Sequence, residues 1–412
     1  MAATLITGAS VWDGIADTAV PRQVLVVDDR IERIAENIDA PAGTETVHLP
    51  GHTVTPGFID CHTHVGLTPN LLELGPMSSP AKTLRALPVL EALLDNGFTT
   101  IRDLGCGDVD HPTIDLRNAI AAGLVRGPRM LVAPHILSAR GGHGDFSAGL
   151  ADQYQSAGRG LEFATADGPD EIRTLVRQEI RAGADWVKFA ATGGFSSPSD
   201  DPNHTTYSQQ EMDTLVATAA DLGVPATPHC YGDEAARRAV RAGVRSIDHG
   251  NLVSADGLAM ISDAGVFLVP TQYTILTDAR RAGDDAYWRG KPRYKRAKFV
   301  RYGAQLEAAA ERLAASNVKI AFGTDAGMFP HRDNWREFGA MVSTGISPLR
   351  ALRAATSVAA DLLRLDEVGV LAAGKLADLV AMPGDPFTDI EVTGRVDFVM
   401  QSGHIHKQPP AA

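Results

Sequence analysis

The sequence predicts a mixed α/β chain in which a (β/α)8 barrel carries a small β-sandwich built from both chain ends. Three observations predict it. Eight short apolar runs recur through the middle of the chain. Helical patterns separate most of them. Residues 1–55 and 366–412 read instead as short strands and turns.

At the N-terminus, "ATLITGASVWDG" and "RQVLVVDDRIERIAEN" are rich in β-branched residues and carry Asp-Gly and Asp-Asp as turn candidates. "KLADLVAMPGDP" and "RVDFVMQSGHIHK" have the same character at the other end. Two small β segments at opposite ends are expected to pair into one subdomain, with residues 56–365 inserted between them as the barrel. The eight strand candidates are "GFIDCHTHV", "FTTIRDLG", "RMLVAPHIL", "WVKFAAT", "PATPHCY", "RSIDHGN", "VFLVPTQ" and "KIAFGTDAG". Between them, "PDEIRTLVRQEIRAG" opens on proline and acidic residues and closes at Gly183. "SQQEMDTLVATAADLG" places Ser208 three residues before Glu211, the spacing of a capping box, and closes at Gly223. "DEAARRAVRAG" is a further helix. The Gly-rich stretch 139–168 reads as a loop over the barrel mouth, and loops of that length are often functional.

Composition narrows the function. The 412 residues are 44% hydrophobic, enough for a large core, and the formal net charge of -12 argues against a nucleic-acid partner. Three cysteines cannot make a disulfide framework, so a reducing, cytoplasmic setting is expected. The N-terminus does not read as a signal peptide, and no apolar run is long enough to span a membrane.

The chemistry concentrates at strand ends, where this fold carries its functional groups. In "GFIDCHTHVG", alternation puts Asp60, His62 and His64 on one face and Cys61 and Thr63 on the other. Two imidazoles on one strand suit a divalent transition metal, although two polar residues at a strand end would look the same. Later strands end in His229, His249 and Asp325, each just before a turn. Burying so many titratable groups at one rim without a cation would be costly. Lys188 lies within a strand, where a charged amine is expensive. Either it is salt-bridged to a carboxylate, or it has added carbon dioxide to become an anionic carbamate able to bridge two metals. Tyr231, two residues after His229, is a candidate for substrate contact or a rim aromatic. His143 on the Gly-rich loop is a candidate for substrate contact or a structural histidine, and Arg140 is a candidate for carboxylate capture. His135 reads as a core or rim residue, and His204 and His331 as loop residues. Cys61 and Cys230 read as small core residues. No Gly-X-Ser-X-Gly elbow supports serine catalysis.

At these positions the sequence resembles the amidohydrolase superfamily. Its pattern of His-X-His, a carbamylated lysine, two single histidines and an aspartate falls on His62 and His64, Lys188, His229, His249 and Asp325. The closing "GVLAAGKLADLVAM" is also similar. "VWDG", "GGHGD", "HCYG" and "GTDAG" resemble more narrowly the branch of imidazolonepropionase-related hydrolases, prolidase-like dipeptidases and ochratoxin-type amidases. The resemblance implies two divalent ions, zinc as the first expectation. His62, His64 and Asp325 would hold one, His229 and His249 the other, and carbamylated Lys188 would bridge them. It further implies a shared hydroxide as nucleophile, Asp325 as ligand and proton shuttle, a small amide or peptide substrate, and a homo-oligomer. The expected activity is that of a dipeptidase or N-acyl amino acid amidase. A mononuclear zinc deaminase, a hydrolase of cyclic amides, lactones or phosphotriesters, and a non-catalytic scaffold are the alternatives.

Overall fold

The computed structural model describes residues 2–70, 73–147 and 164–409. The N-terminal stretch contributes β1 (Ala3–Thr7), β2 (Ser10–Val11), β3 (Val20–Pro21), β4 (Gln23–Val27), β5 (Arg30–Ala35), β6 (Glu45–His48) and β7 (His52–Pro56). The middle supplies β8 (Phe58–Thr63), β9 (Phe98–Asp103), β10 (Arg129–Val132), β11 (Ile136–Leu137), β12 (Val187–Ala190), β13 (Ala226–Cys230), β14 (Ser246–His249) and β15 (Phe267–Val269). The C-terminal stretch adds β16 (Leu379–Pro383), β17 (Phe398–Gln401) and β18 (His404–Lys407).

The chain is mixed α/β, and its middle strands pair in parallel. One sheet runs β10-β9-β8 and another β11-β12-β13-β14-β15. Backbone hydrogen bonds join their edges. Asp185 and Trp186, just before β12, donate to Val132 of β10 at 2.8 and 3.2 Å. The predicted strand "RMLVAPHIL" is split into β10 and β11 around Pro134, which has no N–H to give a ladder.

The eighth strand candidate behaves differently from expectation. Residues 319–327 form isolated parallel bridges, Leu268 with Ile320 and Thr63 with Ala326, rather than a continuous strand. They nevertheless reach both sheets. Ala321 donates to Leu268 at 2.9 Å, and Cys61 donates to Phe322 at 2.8 Å. The irregularity has a local cause. Asp325 and Gly327 sit at φ 61° and 120°, outside the extended region. Gly323 allows a close approach: a Cβ there would overlap Val269 and lie 2.9 Å from the His62 Cβ.

Helices cover the parallel strands, and their ends follow the sequence signals. The helix Gly168–Ala182 closes at Gly183 with φ 110°. Gln209–Asp221 starts from a capping box between Ser208 and Glu211. Asp233–Ala242 closes at Gly243 with φ 91°. Among the described residues, no helix is long and apolar enough to cross a membrane.

The chain ends make two further sheets, β5-β4-β1-β6 and β18-β17-β16-β7-β2-β3. β7 pairs with β16 over five register positions, Pro56 with Leu379 through His52 with Pro383. One apolar cluster contains Ile6, Val24, Val26 and Ile31 from one end and Leu379, Ala381, Phe398 and Met400 from the other. Burial of that shared apolar surface ties the two termini together.

Gly57 links β7 to β8. A Cβ there would overlap the Thr99 side chain, itself buried and β-branched. Gly57→Val is expected to cost about 1–3 kcal/mol by overpacking. A denaturation midpoint lowered at unchanged slope would register it, and an unchanged midpoint would contradict it.

Candidate metal centre

β8 is buried along its whole length. Cys61 packs into an apolar cluster with Leu104 and Ala321, on the face opposite to Asp60, His62 and His64. All three cysteines are buried and free, and burial pushes their thiols far above the ordinary range. They are inert core residues, as the sequence suggests for Cys61 and Cys230.

The ring of His64 is oriented by Gly105, whose carbonyl lies 2.9 Å from Nδ1. A carbonyl only accepts, so Nδ1 carries the proton and Nε2 presents a lone pair. That nitrogen lies 3.2 Å from His62 Nε2 and 3.2 Å from Asp325 Oδ1. His62 Nε2 lies 3.4 Å from the same oxygen. Three donors each ~2.0–2.1 Å from one tetrahedral ion stand about 3.3–3.4 Å apart. The triangle therefore fits a zinc-sized ion.

His229 and His249 extend the cluster. Ring centroids are 5.0 Å apart for His62 and His249 and 4.6 Å for His229 and His249. His229 Nε2 faces the Gly193 carbonyl at 3.2 Å, leaving Nδ1 with the lone pair. His249 Nδ1 meets the Thr271 hydroxyl at 2.7 Å. Burial, with neighbouring positive groups, depresses both imidazoles well below their ordinary pKa, so they are neutral and able to ligate. Burial works against the Asp325 carboxylate, but the His62 and His64 imidazoles beside it hold it well below the usual range. His249 and Asp325 both have positive φ, 72° and 61°. Strain of this kind, ~1–3 kcal/mol per residue, collects at functional sites.

Lys188 is 1% exposed and hydrogen-bonded to Asp248. This is the salt bridge that the sequence left open as an alternative. Asp248 also takes a hydrogen bond from Arg102 at 3.1 Å and lies 3.7 Å from His62 Nδ1. Arg102 is fully buried, donates to the Cys61 carbonyl at 2.6 Å and stacks on Trp186 at 4.3 Å. Neither Asp248 nor Arg102 stood out in the sequence. The signal was present: each is a charged residue inside an apolar strand, as Lys188 is.

Other residues brace the ligands. Asp60 accepts from the Thr324 hydroxyl at 2.7 Å, tying β8 to the Asp325 turn, and burial pushes its carboxyl up to about 7. His331, expected in a loop, is buried in the short turn His331–Asp333, and its Nε2 donates to the His64 carbonyl at 3.0 Å. Burial lowers it to about 4, so it is a neutral structural donor.

All six ligand candidates line one cavity of about 610 Å³, together with Tyr231 and His143. Tyr231 stacks on His249 at 4.9 Å, and His143 stacks on His229 at 4.1 Å. Arg140 does not share that placement. It is absent from the cavity lining, and its guanidinium is half-exposed and held at 2.9 Å by both Asp167 and Glu171. The lysines that reach the cavity are Lys188 and Lys82, the latter paired with Asp108 at 2.9 Å. Residues 148–163 of the predicted mouth loop lie outside the described residues.

Residues 53–406 match the model of the amidohydrolase family. The chain belongs to that family. It is 29% identical to the ochratoxinase of Aspergillus niger over 93% of this chain and 83% of that one. A crystal structure of a Xaa-Pro dipeptidase with methionine bound in its active site superposes with a TM-score of 0.91, at 32% identity, covering 98% of this chain and all of the other. A prolidase complexed with N-methylphosphonate-L-proline gives 0.87 at 33% identity, over 99% and 100% of the two chains. The amidohydrolase is thus a hydrolase acting on carbon–nitrogen bonds, in a family that is generally metal-dependent and whose fold implies a TIM barrel.

Removing Arg102 would leave Asp248 short of a partner in a dry site. Arg102→Met is expected to cost ~3–5 kcal/mol in denaturant unfolding. Arg22→Ala, which breaks an exposed pair with Glu36, should cost less than about 1 kcal/mol. Equal effects would show that the buried network is not specially stabilising.

Proposed function

We propose that the chain is a binuclear metal-dependent amide hydrolase acting as a dipeptidase or N-acyl amino acid amidase. One observation carries the reading: His62, His64, Lys188, His229, His249 and Asp325 line a single cavity. In this reading residues 56–365 close into a (β/α)8 barrel, and residues 1–55 with 366–412 form a sandwich subdomain. His62, His64 and Asp325 would hold one ion and His229 and His249 the other. Lys188 would bridge them as a carbamate, its amine nitrogen bonding to carbon dioxide with loss of a proton and giving up its contact with Asp248. Burial lowers the Lys188 pKa, which favours the neutral amine needed for that addition. Zinc suits the imidazole-rich set, and bound ions would supply Lewis acidity and an activated water.

The chain's own residues do the rest. Asp325 takes a proton from the attacking water on its carboxylate and passes it to the departing amine. Burial raises the Tyr231 hydroxyl well above its ordinary pKa and lowers the His143 imidazole, so both stay neutral at pH 7. They act as hydrogen-bond donors to the substrate carbonyl rather than as counter-charges. Among the described residues Lys82, although paired with Asp108, lines the cavity where Arg140 does not, and it is the cation assigned to a substrate carboxylate. The likeness to an ochratoxinase and to a Xaa-Pro dipeptidase supports an amide substrate of this kind.

A second reading has its own observation. Among the described residues the candidate centre yields one tightly spaced triad, His62, His64 and Asp325. That arrangement also suits a one-metal deaminase.

Zinc- and bicarbonate-treated protein is expected to hydrolyse members of a panel of dipeptides and N-acyl amino acids and to hold two ions at this centre. Lys188→Ala should lose at least ~100-fold in kcat/KM. Turnover of only an added lactone and phosphotriester would remove the amidase reading. A single ion at the centre with an active Lys188→Ala would favour the deaminase. In the same assays Lys82→Met should raise KM several-fold for substrates with a free carboxylate, while Arg140→Ala leaves it unchanged. The reverse pattern would restore Arg140 as the anchor.

A further inference from the structure

A second group of ligating side chains lies behind the cavity wall. His111 directly precedes the helix Pro112–Ala121, His135 follows Pro134 between β10 and β11, and Glu179 projects from the helix Gly168–Ala182. One donor atom from each lies within 4.8 Å of the others. His135 Nδ1 is 2.8 Å from Glu179 Oε1, His111 Nε2 is 3.9 Å from the same oxygen, and the two rings are 4.8 Å apart.

Two features show that this cluster asks for a cation. His135 Nε2 lies 3.1 Å from the Asp110 carbonyl, which can only accept. A neutral His135 therefore carries its proton on Nε2, and its Nδ1 lone pair then faces a carboxylate oxygen. Either a second ring proton, making His135 an imidazolium, or a metal ion must sit between them. The same pattern, a ring N–H given to a carbonyl while the other nitrogen faces outward, orients histidine ligands in metal sites. Glu179 supplies the second feature. It shares the buried face of its helix with Ile172, Leu175 and Val176, where an apolar residue would be expected, and its Oε2 has no hydrogen-bond partner. Burial pushes the Glu179 carboxyl up, but the adjacent His111 and His135 imidazoles hold it below the ordinary value. The group is anionic, buried and half-satisfied.

We propose that His111, His135 and Glu179 form a further site for a divalent transition ion of the zinc or cobalt class, separate from the candidate centre. Two imidazoles and one carboxylate are a three-ligand zinc set with room for a water. His111 is partly exposed, which gives the ion a route from solvent. The site also has a position-specific consequence. Asp108, Val109 and Asp110 line the substrate cavity, and both His111 and the Asp110 carbonyl belong to the cluster. An ion here clamps that wall of the cavity to the helix layer. None of the three side chains lines the cavity, so they act on its shape and not on the reacting atoms.

The test counts ions on intact protein titrated with cobalt(II) after full loading, by elemental analysis and by the visible absorption of the bound ion. His111→Ala and Glu179→Gln should each lose one ion per chain and the associated absorption band relative to the parent, and lose the last step of metal-dependent rise in melting temperature. Identical ion counts and spectra in the parent and both variants would overturn the proposal and leave a proton as the shared charge. If Glu179→Gln does not fold, His111→Ala decides alone, because that side chain lies at the surface end of the cluster. The result is independent of the binuclear reading. Loss of an ion in His111→Ala upholds this site even if Lys188→Ala shows the other centre to be wrong.

Discussion

The arrangement depends on keeping opposite charges matched inside a layer of parallel strands from which water is excluded. Asp248 is the pivot. It lies between Lys188, Arg102 and His62, each from a different strand, and it is fully buried. Burial alone would push its carboxyl up, yet these neighbours hold it well below the ordinary range. A network of this type is weak evidence of stability compared with an apolar core, because every ion in it has lost its hydration. Its effect is on position. With four strands committed to one carboxylate, the side chains at their ends have little freedom to settle elsewhere, which is what a preformed ligand cluster requires.

The same logic explains the second layer of contacts. The candidate ligand histidines meet a carbonyl or hydroxyl through one ring nitrogen: His64 with Gly105, His229 with Gly193 and His249 with Thr271. Thr271 is itself at φ 46°. The turn that holds it is fixed by Glu337, buried and accepting from the amides of Gln272 and Tyr273 at 2.8 and 2.6 Å. Three strained residues, Thr271, His249 and Asp325, thus stand at successive strand ends, each over-determined by buried polar partners. Strain at one strand end could be incidental. Here two of the three line one cavity and the third holds His249, which marks a site where side-chain direction takes precedence over backbone comfort.

Much of this was legible in the sequence, and the reasons are physical. Helix ends were readable because capping is local: Ser208 with Glu211, and Gly183 and Gly243 at positive φ, need no tertiary information. Strand-end histidines were readable because polar residues closing apolar runs are conspicuous. Arg140 was misplaced for the complementary reason. A loop arginine meets whichever carboxylates the fold brings near, and Asp167 and Glu171 lie 27 and 31 residues away. His331 was hidden because its value lies in one hydrogen bond to a residue 267 positions earlier. The eighth strand was found by its apolar residues, but its irregularity comes with the positive φ of Asp325 and Gly327 and with the close approach of Val269 and His62 to Gly323.

Arg102 and Asp248 show where pattern reading stops and energetics begins. Lys188 draws attention because an isolated amine in a strand is costly. The same cost applies to Arg102 in "FTTIRDLG" and to Asp248 in "RSIDHGN", and neither cost can be met singly. Charges of both signs on neighbouring strands therefore imply one another: a strand that carries a buried cation needs a partner strand that carries a buried anion. Applied to the whole chain, that requirement marks Asp60, Asp103 and Asp248, each buried in a strand, as the candidate partners of Lys188 and Arg102. Desolvation narrows the choice to these three without a ligand pattern, and the fold selects Asp248. The requirement also bears on the metal reading, since a carbamate on Lys188 turns a cation into an anion beside Asp248. Such a change is tolerable only where divalent charge and the Arg102 guanidinium stand close enough to balance it.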